Sequence, residues 1–548
     1  MKTLIKFQKS PYPSMLQTSL KRLTLCAAAC ASLIWAPDHL DAQQKPNIVL
    51  IFADDLDADE INCTSKDTDI WPTLSGAQML KKKTGKKAGD PKVLTPNIDE
   101  LAKDGLMLTR FYVNATVCTS SRYCLLTGRY ATRGEELQRS YKPGTHATLE
   151  WRPAILKKES SLPKELQKQG YRTGIIGKWH NLPEKVKGMP KMKKKERMAN
   201  PTYKEVQGFE EKLKQQYKAG LDHLSDGFGW DVIDRMEWGN SIVNLDWQCQ
   251  GALKFIEESK EQPFFLYCAL PVPHGQYHFP YNDVLSYDRR VTSDGLLDKP
   301  AQVLPSDEDV TRRVKAAGVP MKNAMATRMD DYVGAIMSKL EEHGLTENTL
   351  VIFTSDHGSR GKNSVYEGGA KVPFIAVWPE KIKAGSSNDS LIGSIDVATT
   401  LIELAGGKTP ADMSLDAMSF LPQLMGEAEP ADWRESMLLE AGNAKGVVTK
   451  NYKYVANRVT PEIESKMKAA PRKVFWSGVD HHNYGNEHMY PTFWDTDQLF
   501  DLRKDLYENV NLVTNPEYDS IYKKMRGHMS QLLGTLPYTF GELNPAKN

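Results

Sequence analysis

PNIVLIFADD, from Pro46 to Asp55, sets six consecutive apolar residues in front of two adjacent acids. A short apolar run without polar alternation is the pattern of a strand buried on both faces, and the acids mark where it opens onto a loop. The same grammar returns along the chain. TPNIDELAKDG (Thr95 to Gly105) reads as a short helix with a Thr or Asn start and a Gly stop. SLPKELQKQG (from Ser161) reads as a helix and YRTGIIGKWH (Tyr171 to His180) as the strand that leaves it. WQCQGALKFIEES (from Trp247) with PFFLYCALPVPH (Pro263 to His274), and ATRMDDYVGAIMSKLEEHG (from Ala326) with TLVIFTSDHG (Thr349 to Gly358), repeat the pair. VPFIAVWP from Val372 is a last strand, followed by the helical pattern IDVATTLIELAG from Ile395. Helices alternating with apolar strands predict an α/β fold, a large and mostly parallel sheet sandwiched by helices. In such sheets, sites form beyond the carboxyl ends of the strands. Asp54, Asp55, His180, His274, Asp356 and His357 all fall there.

The texture changes after about residue 430. GVVTKNYKYVANRV and DTDQLFDLR read as short strands of a smaller α+β unit with an antiparallel sheet, separated by a polar, poorly patterned stretch. The expected organisation is therefore a large domain over 46–430 and a smaller one over 431–548. Two basic segments interrupt the first: KKKTGKK from Lys81, and a longer insertion around 181–220 that runs from Lys185 to Lys218. Such runs are either solvated faces or, beside a cleft, a means of steering an anionic substrate. A formal charge of +2 over 548 residues excludes a cationic field over the whole surface. No finger spacing, aromatic-basic strand motif or glycine-rich phosphate loop supports nucleic-acid binding.

Residues 1–42 stand apart. Lys21 and Arg22 precede LTLCAAACASLIWA, and Leu40-Asp41-Ala42 offers a processing site, the layout of a secretory signal peptide. The run is short for a membrane span, and no later stretch approaches twenty continuous apolar residues. Cys26 and Cys30 raise lipid attachment, yet more apolar residues follow each within the run. The expectation is an exported protein, periplasmic or extracellular, with no transmembrane segment after signal removal. Cys63, Cys118, Cys124, Cys249 and Cys268 then remain, with neither a disulfide framework nor zinc-site spacing.

Two strand ends carry candidate ligands, Asp54-Asp55 and Asp356-His357. Oxygen-rich coordination favours calcium or magnesium, whereas the imidazole by itself leans towards a transition metal. CTSSRYCLLTGR, from Cys118 to Arg129, places a cysteine ahead of what reads as an amphipathic helix, with Arg122 four residues on and so on the same face. Residue chemistry alone leaves Cys118 open as a packed thiol, a thiolate nucleophile or a precursor of something else.

PNIVLIFADD, CTSSRYCLLTGR, GKWH, PVPHG, TSDHG and GKNSVYEGGAKVPFI stand in an order that resembles the type I sulfatases, the formylglycine-dependent branch of the alkaline phosphatase superfamily. The resemblance runs from about Pro46 to Pro379, and DQLFDLRKDLYENVNL resembles the family's carboxyl-terminal domain. It implies that Cys118 is oxidised to formylglycine by a sulfatase-maturation enzyme and that the hydrated aldehyde is the nucleophile. Asp54, Asp55, Asp356 and His357 match the ligands of one calcium ion, although the family often has Asn at the last position. Arg122 matches the residue that orients the hydrated aldehyde. Lys178 and His180 match a pair that contacts sulfate and the formylglycine hydroxyls, with His180 the candidate base. His274 and Lys362 match sulfate-binding residues near the leaving oxygen. The implied activity is hydrolysis of sulfate esters, and the secretory leader and basic insertion suit a sulfated polysaccharide or oligosaccharide. One departure stands out: the family's maturation signal has Pro, or sometimes Ala, two places after the cysteine, and this chain has Ser120. Two rival readings remain, a non-catalytic protein that binds sulfated polyanions if Cys118 stays a thiol, and a formylglycine-dependent phospho- or phosphonate monoester hydrolase.

Overall fold

The computed structural model describes residues 45–58, 60–65, 93–149, 153–193, 196, 201–239, 242–274, 285, 287–474, 476 and 486–545. The expected signal peptide and the basic run from Lys81 lie outside the described residues, as do Lys194 and Lys195 of the second run. Among the described residues, no helix is long and apolar enough to cross a membrane.

The opening apolar run forms β1 (Asn47–Asp54), buried along its whole length. Side chains alternate across a strand, so Ile48, Leu50 and Phe52 enter one core while Val49, Ile51 and Ala53 enter another. That double burial explains the unbroken apolar pattern. Among the described residues the large sheet has eight strands: β1, β2 (Leu106–Leu108), β3 (Arg172–Lys178), β4 (Val232–Glu237), β5 (Phe264–Pro273), β6 (Thr349–Ser355), β7 (Phe374–Val377) and β8 (Ser386–Asn388). Their order is β8-β2-β7-β6-β1-β5-β3-β4. Only β7 is reversed within this sheet, pairing antiparallel with both β6 and β2.

Helices α1 (Pro96–Asp104), α5 (Leu245–Ser259) and α6 (Ala324–Glu342) cover the face that receives Val49 and Ile51. The opposite face is covered by α2 (Cys118–Thr127), α3 (Leu162–Lys168) and α7 (Ile395–Leu404). The helix α2 departs from expectation. Each of its ten residues is buried, so it is enclosed on all sides rather than amphipathic. Gly128 ends it in the left-handed region (φ 63°), its N–H bonded to the Cys124 carbonyl at 3.0 Å, which accounts for the glycine in LLTGR.

A second sheet follows, an antiparallel meander of β9 (Met437–Ala441), β10 (Ala444–Val448), β11 (Tyr452–Asn457) and β12 (Asp497–Asp501), with α10 (Asp519–Gly534) packed on it. The poorly patterned stretch before β12 contains α8 (Pro461–Ala469), capped by the Thr460 side chain, and the short α9 (Asn486–Met489). The last part of the basic insertion enters the helix α4 (Glu210–Leu224), which buries Leu213, Tyr217 and Leu224. Its lysines are neutralised locally: Lys212 pairs with Glu196, Lys214 with Glu210 and Lys218 with Asp222.

Candidate active site

The sheet register assembles the site. Parallel pairing of β1 with β6 sets Ala53 beside Ser355, so the next residues, Asp54 and Asp356, leave the sheet in step. Asp55 turns through the left-handed region (φ 60°), and its N–H donates to Asp356 Oδ1 at 3.0 Å. The neighbouring strands β3 and β5 end at Lys178 and Pro273, which delivers Lys178, His180 and His274 to the same edge.

Cys118, the first residue of α2, points into this convergence. Its Sγ lies 3.5 Å from Asp54 Oδ1, 3.4 Å from His357 Nε2 and 3.5 Å from Lys362 Nζ. Lys362 donates to both Asp55 oxygens at 2.9 and 3.0 Å, and Lys178 donates to Asp54 Oδ2. Arg122, one turn into α2, sets Nη2 at 3.2 Å from Asp356 Oδ2 and 3.6 Å from Asp54 Oδ2. Its Nη1 faces the Lys178 carbonyl at 3.5 Å and the Tyr267 hydroxyl at 3.4 Å, and the Phe52 ring packs against the guanidinium. His274 Nε2 lies 3.6 Å from Asp55 Oδ2. These contacts join Asp54, Asp55, Cys118, Arg122, Lys178, His274, Asp356, His357 and Lys362. His180 sits against Gly239, where an added Cβ would come within 2.9 Å of its ring, and it feels the charges of Lys178, Asp54, Arg122 and Lys362.

Burial penalises every charge here, and neighbours decide which survive. Burial would raise the Asp54 carboxyl, but Lys178, His274, Arg122 and Lys362 together hold it well below the usual range. Asp55 is lowered too, because Lys362, His357 and His274 outweigh its burial. Asp356 goes the other way: burial and the Asp54 charge raise it against the pull of His357 and Arg122. Burial raises the Cys118 thiol far above its ordinary value, helped by Asp54 and Asp356 and opposed by Lys178 and Lys362. A thiol so held is protonated, and the nucleophilic form of cysteine is the thiolate. Burial, then Lys178, depresses His180 well below the usual imidazole value, and burial brings His274 down to about 4.

The donor set fits a hard divalent cation. Ligand atoms of Asp54, Asp356, His357 and Cys118 all lie within 4.8 Å of one another, and Asp55 joins Asp54, Cys118 and His274 in a second such group. His357 Nδ1 lies 3.2 Å from the Gly358 carbonyl, so a proton on Nδ1 directs the Nε2 lone pair towards the carboxylates, as metal-binding histidines do. Three carboxylates formally balance Arg122, Lys178 and Lys362. A divalent cation would leave an excess of positive charge for a bound anion.

Several supporting residues carried no signal in the sequence. Tyr267 braces Arg122 from mid-strand β5. Asp57 sits just past the acid pair, and its carboxylate takes Ser359 Oγ at 2.6 Å, Arg360 N at 3.1 Å and Arg360 Nε at 2.8 Å, fixing the loop that leads to Lys362. A third acid so near the pair was the one available hint. The closing arginine of the cysteine motif turns away from the site. Arg129 pairs with buried Glu159 at 2.9 Å, which also accepts from the Tyr123 hydroxyl at 2.8 Å.

The sulfatase family profile matches residues 46–407, and that of the carboxyl-terminal region of N-sulphoglucosamine sulphohydrolase matches residues 355–462. An ulvan-active sulfatase of Formosa agariphila is 26% identical over 495 residues, covering 88% of this chain and 78% of the relative. An N-acetylgalactosamine-6-O-sulfatase of Bacteroides thetaiotaomicron is 24% identical over 549 residues, covering 87% and 91% respectively. Among solved structures, the PsFucS1 sulfatase from Pseudoalteromonas sp. shares the fold, with a TM-score of 0.54 at 20% identity over 92% of each chain.

Proposed function

The chain belongs to the sulfatase family and is a sulfuric ester hydrolase; from that premise we propose that it removes sulfate from a sulfated carbohydrate, using Cys118 matured to formylglycine and calcium held by Asp54, Asp55, Asp356 and His357. One observation carries the reading. Cys118 Sγ occupies the point where a carboxylate, an imidazole and a lysine ammonium meet, each at 3.4–3.5 Å. As a thiol in that position it is protonated and poorly nucleophilic, so the constellation gains a purpose once the residue is oxidised. Hydrated formylglycine would supply a geminal diol, one hydroxyl to attack sulfur and the other to allow sulfate to be expelled. Calcium would supply a Lewis acid that withdraws charge from sulfate oxygen and from the attacking hydroxyl.

The remaining roles fall to the chain. Breaking the S–O bond builds negative charge on the bridging oxygen, and fixed cations aimed there favour the transition state over the ground state. Lys362 and His274 stand on the Asp55 side of Cys118 and are assigned to the leaving oxygen. Lys178 stands on the Asp54 side and is assigned to the sulfate group, while Arg122 braces the carboxylates and orients the matured residue. His180, kept neutral by burial beside Lys178, is assigned the proton that accompanies sulfate release. Support for a carbohydrate comes from relatives whose names refer to ulvan and to N-acetylgalactosamine 6-O-sulfate. The leader over 1–42 suits export, and the oxidation of Cys118 calls for a maturation enzyme as partner.

Cys118→Ser and Cys118→Ala test the chemistry. A serine hydroxyl can attack sulfur slowly but has no second geminal hydroxyl with which to expel sulfate. Intact mass after incubation with a sulfated sugar should therefore show a sulfated adduct on the Ser variant and none on the Ala variant. In the parent, the peptide bearing residue 118 should have the mass of the aldehyde or its hydrate. Multiple turnovers by Cys118→Ser, or full activity from protein whose Cys118 is wholly thiol, would defeat the mechanism. Faster cleavage of a phosphate monoester than of the matching sulfate would replace the substrate class.

A further inference from the structure

Lys362 reaches the site from a loop rather than from a strand end. It follows a single turn, Ser359–Gly361, and its own N–H makes a long 3.4 Å bond to the Ser359 carbonyl. A flexible side chain on such a backbone holds Nζ in place only if the backbone is held. Two kinds of contact do so. First, the loop lies directly on residues 368 and 369. An added Cβ on Gly361 would come within 2.2 Å of Gly369 N, and one on Gly358 within 2.1 Å of the Gly368 carbonyl oxygen. Second, the segment that opens with α9 reaches back from far along the chain. Asn486, fully buried, donates its Nδ2 to the Lys362 carbonyl at 2.9 Å. The Tyr490 hydroxyl donates to the Arg360 carbonyl at 3.1 Å, and its ring stacks on Tyr366 at 3.8 Å and 12°. Tyr366 is fixed in turn by a 2.8 Å bond to Gln498 Oε1 on β12.

We propose that Asn486, supported by Tyr490, is a positioning residue for the reaction, which fixes the Lys362 backbone so that Nζ meets the leaving oxygen. This rests on the role given to Lys362 above. The contact is made to the backbone, while the Lys362 side chain faces Asp55 and Cys118. A segment next to the antiparallel sheet thereby supports a site whose members come from the strand ends of the large sheet, from α2 and from the loop bearing Lys362. Displacements of about 1 Å in a catalytic group can cost about a hundredfold in rate.

A double-mutant cycle on matured, calcium-loaded protein, read as kcat/KM for 4-nitrophenyl sulfate, tests this. Asn486→Ala should cost about ten- to a hundredfold in the parent and add almost nothing once Lys362 is already alanine, since both changes remove one function. Equal losses from Asn486→Ala in the two backgrounds would overturn the inference and leave Asn486 a structural residue. Normal activity of Lys362→Ala would overturn the role of Lys362, and with it this proposal. These failures are distinguishable because the Lys362 variant is measured alone. Should Asn486→Ala fail to fold, Tyr490→Phe removes one hydroxyl while keeping the ring stack, and the same cycle applies. Its loss should be smaller and again vanish without Lys362; persistence would refute the idea.

Discussion

Replacing Arg122 with leucine should separate what holds the site together from what drives the reaction. The guanidinium is 1% exposed and is the fixed side-chain cation that pulls on Asp356, whereas Asp54 has Lys178 and Lys362 as well. Arg122→Leu keeps most of the volume but strands a buried carboxylate already raised by burial and by Asp54. Breaking a buried pair from one side typically costs about 3–5 kcal/mol. The loss should approach that figure in chelator and shrink in excess calcium, because an ion bound between Asp54 and Asp356 would offset the missing charge and stabilise the state that binds it. Activity should fall by about 10²–10³, the scale for losing one preorganised electrostatic contact. Arg122→Lys should retain more of the stability. It still loses activity, since one ammonium cannot reach Asp356 at 3.2 Å while bracing against Tyr267 and the Lys178 carbonyl as the planar fork does. Guanidinium chloride unfolding with and without chelator, alongside kcat/KM, makes the comparison. An Arg122→Leu protein as stable as the parent in chelator, with most of its activity, would refute the reasoning.

Asp54→Asn and Asp356→Asn should each abolish most turnover and lower calcium content, checked by elemental analysis and activity in chelator; full activity without calcium, or stoichiometric zinc, would reject the ion. Against the effect of burial, Lys178 first among the cations holds the Asp54 carboxyl well below the usual carboxylate range, so the stability it contributes is present above about pH 4 and lost as pH falls through the folded value. The stability gap between the parent and Lys178→Met should therefore be full at neutral pH and narrow in acid, and a gap that ignores pH would contradict the pairing. Because Lys212, Lys214 and Lys218 are already paired, recruitment of a polyanion by the insertion would draw on its exposed lysines, among them Lys187, Lys191 and Lys193. Neutralising those three should raise KM for a sulfated polymer at low salt, with the effect screened away as salt rises and no change for a small aryl sulfate; unchanged polymer kinetics would return the run to a solvated face.

The strands were legible because burial on both faces leaves an unbroken apolar signature, and the site residues because a parallel sheet gathers its strand ends on one edge. The reversal of β7 carried a fainter sign. Parallel neighbours need a long crossover, usually helical, and the connection from Ser355 to Phe374 contains only the four-residue helix Glu367–Ala370 beside a short turn. Enclosure of α2 was invisible because Ser120, Ser121 and Arg122 are polar by type, and their burial depends on partners far away in sequence. Tyr267, Asn486 and Glu159 escaped for the same reason. Each acts through a contact spanning from 30 to more than 120 residues, and a tyrosine, an asparagine or a glutamate is unremarkable in its own neighbourhood.

Cys118 has no exposed surface, and every other residue of its helix is sealed as well. An enzyme that oxidises this thiol needs to grip the chain around it, which the finished fold forbids. Under the maturation proposed above, chemistry at residue 118 would be in a race with folding, and the winner would be fixed molecule by molecule. A chain that closes first keeps its thiol for as long as it stays folded. A preparation would then be a mixture of competent and mute copies with the same architecture, and its specific activity would count heads rather than measure speed. Faster folding, ordinarily an advantage, would here diminish the yield of working enzyme.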